Sequence, residues 1–275
     1  MSPRGKGASR PTGAVREIRM GAVGDIHFNG EDASILTEIV RAAEREADVL
    51  LLCGDLTTHG TVAQAEGVAR ALGGLAIPVV AVLGNHDYEG GEVDEVKAVL
   101  ARHHVRVLDG DATVVEGVGI AGVKGFAGGF GRGSLGAFGE PVMKAFVQEA
   151  VDEALKLENA LRAVAAPTKI VLLHYSPIPD TLVGEPEMIF PFLGSSRLLP
   201  PIDAMGASVV FHGHAHTGIL EGRTPAGIPV YNVAYPVLGA AGHGPLFVYR
   251  VQVPEPADPA TVAGRAATVG AAPGG

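Results

Sequence analysis

Residues 49–55 read Val-Leu-Leu-Leu-Cys-Gly-Asp. Five consecutive apolar side chains followed by glycine and an acid describe a strand buried on both faces that stops at a polar end. The pattern recurs four times. Ile18–Val23 runs toward Asp25-x-His27, Val79–Leu83 into Gly84-Asn85-His86-Asp87, Ile170–Leu173 into His174, and Ser208–Phe211 toward Gly213-His214-Ala215-His216. Residue types that bind metals therefore gather at the ends of several strands. That edge is where an α/β sheet carries its site.

Helical spacing fills the gaps between the early strands. Ile35, Leu36, Ile39, Val40 and Ala43 predict a helix over 33–47, and Ala63–Leu72 and Val93–His103 predict two more. A long helix is expected over about 141–164, with Pro141 in its first turn and Val142, Phe146, Ala150, Leu157 and Leu161 on its apolar side. After Leu108 the pattern changes. Ala112–Glu116 and Val118–Val123 read as a hairpin around Glu116-Gly117, and Gly218–Glu221, Pro229–Val233 and Leu246–Val251 as further strands. Such βαβ units followed by hairpins predict a mixed α/β chain, with two packed mixed sheets and helices outside. A single domain over 15–253 is expected, between a disordered tail at 1–14 and a flexible tail at 254–275. Two long loops, 122–139 and 177–201, have the length of lids or binding loops.

Bulk properties exclude several function classes. Apolar residues make up 47% of the 275, enough for a sizeable core. Net charge is −9, yet residues 1–19 hold five bases and one acid, leaving 16 bases against 29 acids in the remainder. An acidic body argues against long nucleic acid as a partner. The single cysteine, Cys53, reads as a buried strand residue and fits a reducing compartment. No apolar stretch has signal-peptide or membrane-spanning character, and no adjacent arginine pair marks an export signal, so a cytoplasmic protein is expected.

Singly, each motif has an ordinary structural reading. Asp25 or His27 could serve a turn, Asp55 could cap a helix, and His174 on an apolar strand could be a packed core histidine. Their conjunction differs, because five of the ten histidines fall in these few positions. If the segments are extended, Asp25 and His27 project on one side, and so do His214 and His216. Each pair then reaches one small volume.

The ordered set Asp-x-His, Gly-Asp, Gly-Asn-His-Asp, His and Gly-His-x-His resembles the calcineurin-like metallophosphoesterase superfamily, whose five motifs are all present between Asp25 and His216. The resemblance implies a four-layer α/β/β/α sandwich and a binuclear centre with two divalent ions. Asp25, His27, Asp55 and His216 would hold one ion, and Asp55, Asn85, His174 and His214 the other. Mixed nitrogen and oxygen donors suit Mn first, with Fe, Zn or Ni as alternatives. A metal-bridging hydroxide would attack phosphorus, His86 would assist the leaving group, and Asp87 would orient the His86 ring.

His59, Lys124, Arg132 and Arg197 are candidate substrate contacts, each with ordinary surface charge as the competing reading. His212 is a candidate support. The glycine-rich loop lacks the Walker signature, so triphosphate binding of that type is not indicated. The expected substrate is a small phosphodiester or phosphomonoester, diester preferred. Lipid-precursor hydrolases of the superfamily typically carry arginine at the place of His86, which disfavours them. A nuclease and a non-catalytic metal-binding scaffold are the alternatives. A homodimer is compatible with the sequence.

Overall fold

Apolar runs and amphipathic segments alternate through the first hundred residues, and they form strands and helices accordingly. The computed structural model describes residues 15–255, so the expected tails lie outside the described residues except for Pro254 and Glu255. The order begins β1 (Val15–Val23), α1 (Ser34–Glu46), β2 (Val49–Cys53), α2 (Val62–Leu72), β3 (Val79–Val82), α3 (Asn85–Glu89), α4 (Val93–Arg102) and β4 (Val105–Val107). These strands run parallel, and the closing strand of the chain, β11 (Phe247–Pro254), adds antiparallel to β1 to give the order β11-β1-β2-β3-β4.

The second sheet starts with the expected hairpin, β5 (Asp111–Val115) and β6 (Val118–Gly122). Then follow α5 (Pro141–Ala163), β7 (Thr168–Leu172), α6 (Phe190–Leu193), α7 (Leu199–Ala204), β8 (Val209–His212), β9 (Glu221–Arg223), β10 (Pro229–Asn232) and α8 (Tyr235–Ala240). Its order is β5-β6-β7-β8-β10-β9, with β6, β7, β8 and β10 parallel.

Alternation along the strands shows how the layers stack. Ile120, Ile170, Leu172, Val209 and Phe211 join the large core shared with the first sheet. Their neighbours Ala121, Val171, Leu173 and Val210 join a separate core with Leu157, Ala160 and Leu161 of α5. Each central strand is thus buried on both faces, which its continuous apolar sequence requires. The result is helix, sheet, sheet, helix, with both sheets presenting the C-terminal ends of parallel strands at a common seam.

Several expectations shift. The strand expected at Gly218–Glu221 forms instead at Glu221–Arg223, because Gly218 and Ile219 are held by Ala215 and Thr181 carbonyls rather than by the sheet. The short β4 is unexpected: Val105-Arg106-Val107 alternates, but three residues are too few to mark a strand. Val142 of α5 is exposed while Glu153 is buried, since Glu153 accepts the Gly125 N–H (2.8 Å) and Lys156 Nζ (2.6 Å). The segment 177–201 is a string of short helical turns.

Candidate metal centre

Beyond the end of β1 the chain does not continue extended. Asp25 (φ 57°) and His27 (φ 47°) are left-handed, as are Asp55 (φ 49°) after β2 and His214 (φ 71°) after β8. Non-glycine residues rarely adopt this region, and it costs on the order of 1–3 kcal/mol each. Four of the six such residues described are candidate ligands. The kinked segments still pair with each other: the Asp25 N–H donates to the Gly54 carbonyl and the His27 N–H to the Asp55 carbonyl, both at 3.0 Å.

This corrects the expectation that ligand pairs share one side of an extended segment. Asp25 and His27 do converge, with His27 Nε2 4.0 Å from Asp25 Oδ1. His214 and His216 part company. His216 Nε2 lies 3.0 Å from Asp25 Oδ1 and 3.4 Å from His27 Nε2, whereas His214 groups with Asp55 and His174.

Two ligand sets result, each with donor atoms within 4.8 Å of one another: Asp25, His27 and His216, and Asp55, His174 and His214. Asp55 stands between them, its Oδ2 3.7 Å from His27 Nε2 and 3.4 Å from His174 Nε2. Asn85 joins the second set through Oδ1, 2.9 Å from His174 Nε2. The second set is deep, while the His27 and His216 side chains of the first are 25% and 42% exposed. The centre therefore opens on one side.

The donor chemistry fits cations. His174 Nδ1 donates to the Cys53 carbonyl (2.9 Å), so its Nε2 lone pair faces only acceptors, the Asp55 carboxylate and the Asn85 carbonyl oxygen. His214 Nε2 donates to the Phe192 carbonyl (3.2 Å), which leaves Nδ1 for the cluster. Without an ion a proton must mediate. Burial opposes a charge on His174, but the Asp55 carboxylate overcomes it and lifts the imidazole to about 9. Burial would raise Asp55, yet His174, the His86 N–H and His27 hold it well below the usual carboxylate range. Burial and the neighbouring His174 push His214 down to about 3.

Glycines preceding the ligands make room for the carboxylates. A Cβ on Gly84 would sit 2.1 Å from Asp55 Oδ1, and one on Gly213 would sit 2.3 Å from Asp25 Oδ2. Asp25 instead accepts the His214 N–H (2.9 Å), and Asp55 accepts the His86 N–H (2.9 Å).

His86 stands at the rim, edge-on to the His27 ring with centroids 4.6 Å apart. One of its nitrogens lies within 4.8 Å of ligand atoms of His27 and Asp55. Asp87 does not orient this ring, contrary to expectation. Its buried carboxylate accepts from the Gly84, Leu56 and Thr57 N–H groups and the Thr57 hydroxyl, which ties the loops after β2 and β3 together. The ring is held by the Thr58 carbonyl, 2.8 Å from Nδ1. That backbone partner has no sequence signature.

The expected substrate contacts are not brought to the ligands. His59 is exposed and meets Glu89 (3.2 Å). Lys124 is buried, donates to the Gly125 carbonyl, and lies 4.8 Å from the Phe126 and 5.3 Å from the Tyr175 ring centroids. Arg132 is exposed on a short helical turn. Arg197 donates to the Leu135 carbonyl. His212 is fully buried, with Nδ1 donating to the Gly213 carbonyl and Nε2 accepting from the Thr181 hydroxyl, so it supports a loop rather than an ion.

A sequence model of the calcineurin-like phosphoesterases matches residues 18–218, which include both ligand sets. No curated protein matches the chain. Among solved structures, the phosphopantetheinyl hydrolase of Mycobacterium tuberculosis superposes with a TM-score of 0.63 at 13% identity, over 93% of this chain and 98% of that one. TT1561 of Thermus thermophilus gives 0.55 at 18% identity over 85% and 99%. GAP50, the anchor in the inner membrane complex of Plasmodium, gives 0.51 at 11% identity over 80% and 72%. At these identities the likeness is one of fold. Among the described residues, no helix is long and apolar enough to cross a membrane.

Proposed function

The chain belongs to the calcineurin-like phosphoesterase family, and from that premise we propose that it hydrolyses a small phosphoester with two divalent ions, Mn foremost. One observation carries the reading: a single carboxylate oxygen, Asp55 Oδ2, stands between two ligand sets, 3.7 Å from His27 Nε2 and 3.4 Å from His174 Nε2. Asp25, His27, Asp55 and His216 would hold one ion, and Asp55, Asn85, His174 and His214 the other. Bound there, two dications would neutralise the phosphoryl oxygens and lower the pKa of a water.

The chain's own residues supply the rest. Asp55 is aimed by the His86 backbone N–H, and Asp25 by that of His214. His86 has Nδ1–H committed to the Thr58 carbonyl, so the imidazolium form of the ring presents Nε2–H to the departing alkoxide and becomes neutral as it gives that proton up. The exposed rim of His27, His86 and His216 is the side from which a small phosphorylated substrate approaches. We place diesters ahead of monoesters.

The test is a Mn titration counted by elemental analysis, followed by paired chromogenic monoester and diester assays. Two ions per chain and turnover of the diester are expected. His86→Ala should keep both ions and lower turnover at least about 100-fold, as loss of a general acid does. Two bound ions with neither ester hydrolysed would sink the proposal.

A further inference from the structure

The second ligand set has an apolar neighbour. A cavity of about 430 Å³ is walled on one side by Asn85 and His214. Its other walls are Phe126, Phe146, Tyr175, Ile189, Phe192 and Leu193. Phe126 comes from the glycine-rich loop and the last three from the 177–201 segment, the two loops whose length sets them apart in the sequence. Phe126 packs on Phe146 (centroids 4.9 Å) and on Tyr175 (5.9 Å), and Tyr175 packs on the His214 ring (4.4 Å). The Lys124 ammonium packs on the Phe126 and Tyr175 rings and donates to the Gly125 carbonyl, which accounts for its burial.

The two segments that wall this cavity also expose apolar surface. Val142 and Met143 lie one helical turn before Phe146 on α5, and Met188, Ile189 and Phe192 are exposed in the 177–201 segment. These are five of the eleven large apolar side chains exposed among the described residues. Apolar surface concentrated beside a polar centre marks a binding site. The Phe192 carbonyl also holds His214 Nε2, so one residue serves the cavity and a ligand together.

We infer that this cavity seats an apolar organic group of the phosphoester substrate, of aryl or short-alkyl class, while the phosphate meets the ligand sets. The inference rests on the phosphoester-hydrolase reading. A nucleobase is the poorer occupant, because it needs several hydrogen-bond partners and the walls offer the Tyr175 hydroxyl beside two groups committed to ions. The size suits one ring or a short chain. A diester supplies such a group without making it the leaving group.

The experiment measures binding of methyl-, phenyl- and hexylphosphonate to the Mn-loaded full chain by calorimetry, with the phosphonate analogue of thymidine monophosphate as the polar comparison. Phenyl- and hexylphosphonate should bind about 10-fold or more tighter than methylphosphonate, the scale expected for burying a ring or a few methylenes. Phe192→Ser, at a position 58% exposed and so tolerant of change, should reduce that preference below about 3-fold. Equal affinities across the series would overturn the inference, as would tightest binding of the thymidine analogue or a preference untouched by both Phe192→Ser and Phe146→Ser. Phosphonates need no turnover. A chain that shows the preference but hydrolyses no ester keeps the cavity and loses the hydrolase reading, whereas one that hydrolyses diesters with no preference does the reverse.

Discussion

His174 and His212 occupy the ends of neighbouring parallel strands, β7 and β8, and both are fully buried. Their surroundings drive them in opposite directions. Each donates Nδ1–H to a backbone carbonyl, Cys53 for one and Gly213 for the other. His212 Nε2 then accepts from the Thr181 hydroxyl, which completes a neutral imidazole, and burial pushes it down to about 4. His174 Nε2 meets only Asp55 and Asn85 oxygens, and its imidazole rises to about 9 against burial. Burial alone does not decide a histidine's role. The partner of its second nitrogen does: a donor makes a strut, and a pair of acceptors makes a cation site.

The largest break in this comparison comes from removing the charge that distinguishes the two. Asp55→Asn should lose both ions by elemental analysis and lower hydrolysis about 1,000-fold, the rate equivalent of several kcal/mol of lost charge stabilisation. His174→Ala should lose one ion of two and about 100-fold in rate. His212→Ala should keep both ions and instead cost about 2–4 kcal/mol in urea unfolding, through a buried cavity and the loss of the Thr181 hydrogen bond to its ring. Loss of an ion in His212→Ala would erase the distinction.

Acid–base titration sharpens the contrast without mutation. In the metal-free protein His174 is raised in the fold, so its stabilisation is complete below its ordinary value of 6.5 and is lost as pH rises through about 9. His212 is lowered, so its contribution is complete above 6.5 and is lost as pH falls toward about 4. These two groups therefore set a stability maximum near pH 6.5, measurable by thermal unfolding at several pH values. Ions must displace the His174 proton, so Mn affinity should rise with pH up to about 9. The smallest effect belongs to Arg132→Ala, an exposed site, where stability should change by no more than about 0.5 kcal/mol.

The strands and their polar ends were legible because parallel strands buried on both faces must be apolar throughout, as Val49–Cys53 and Ile170–Leu172 are. The gathering of Asp25, Asp55, Asn85, His174 and His214 at one seam followed from that. The left-handed turns did not, since nothing in Asp-x-His distinguishes a kinked segment from an extended one. Asp87 misled for a related reason: adjacency to His86 suggested a side-chain contact, whereas N–H groups from the loop after β2 claim its oxygens. Lys124 read as a phosphate contact because a lysine's charge is visible in sequence and the three aromatic rings that surround its ammonium are not.

The contact between His216 and Asp25 joins residues 191 positions apart, across the seam of the two sheets. During synthesis the chain emerges from its N-terminus, so Asp25, His27, Asp55 and Asn85 exist as loose donors long before the histidines that complete them. Closing so long a loop carries a large entropic cost, which the packed strands meet before the donors can meet one another. Ions bound at this centre would therefore seal a finished fold and would not template it. An ion count on truncated chains would then read out how much of the protein has already folded.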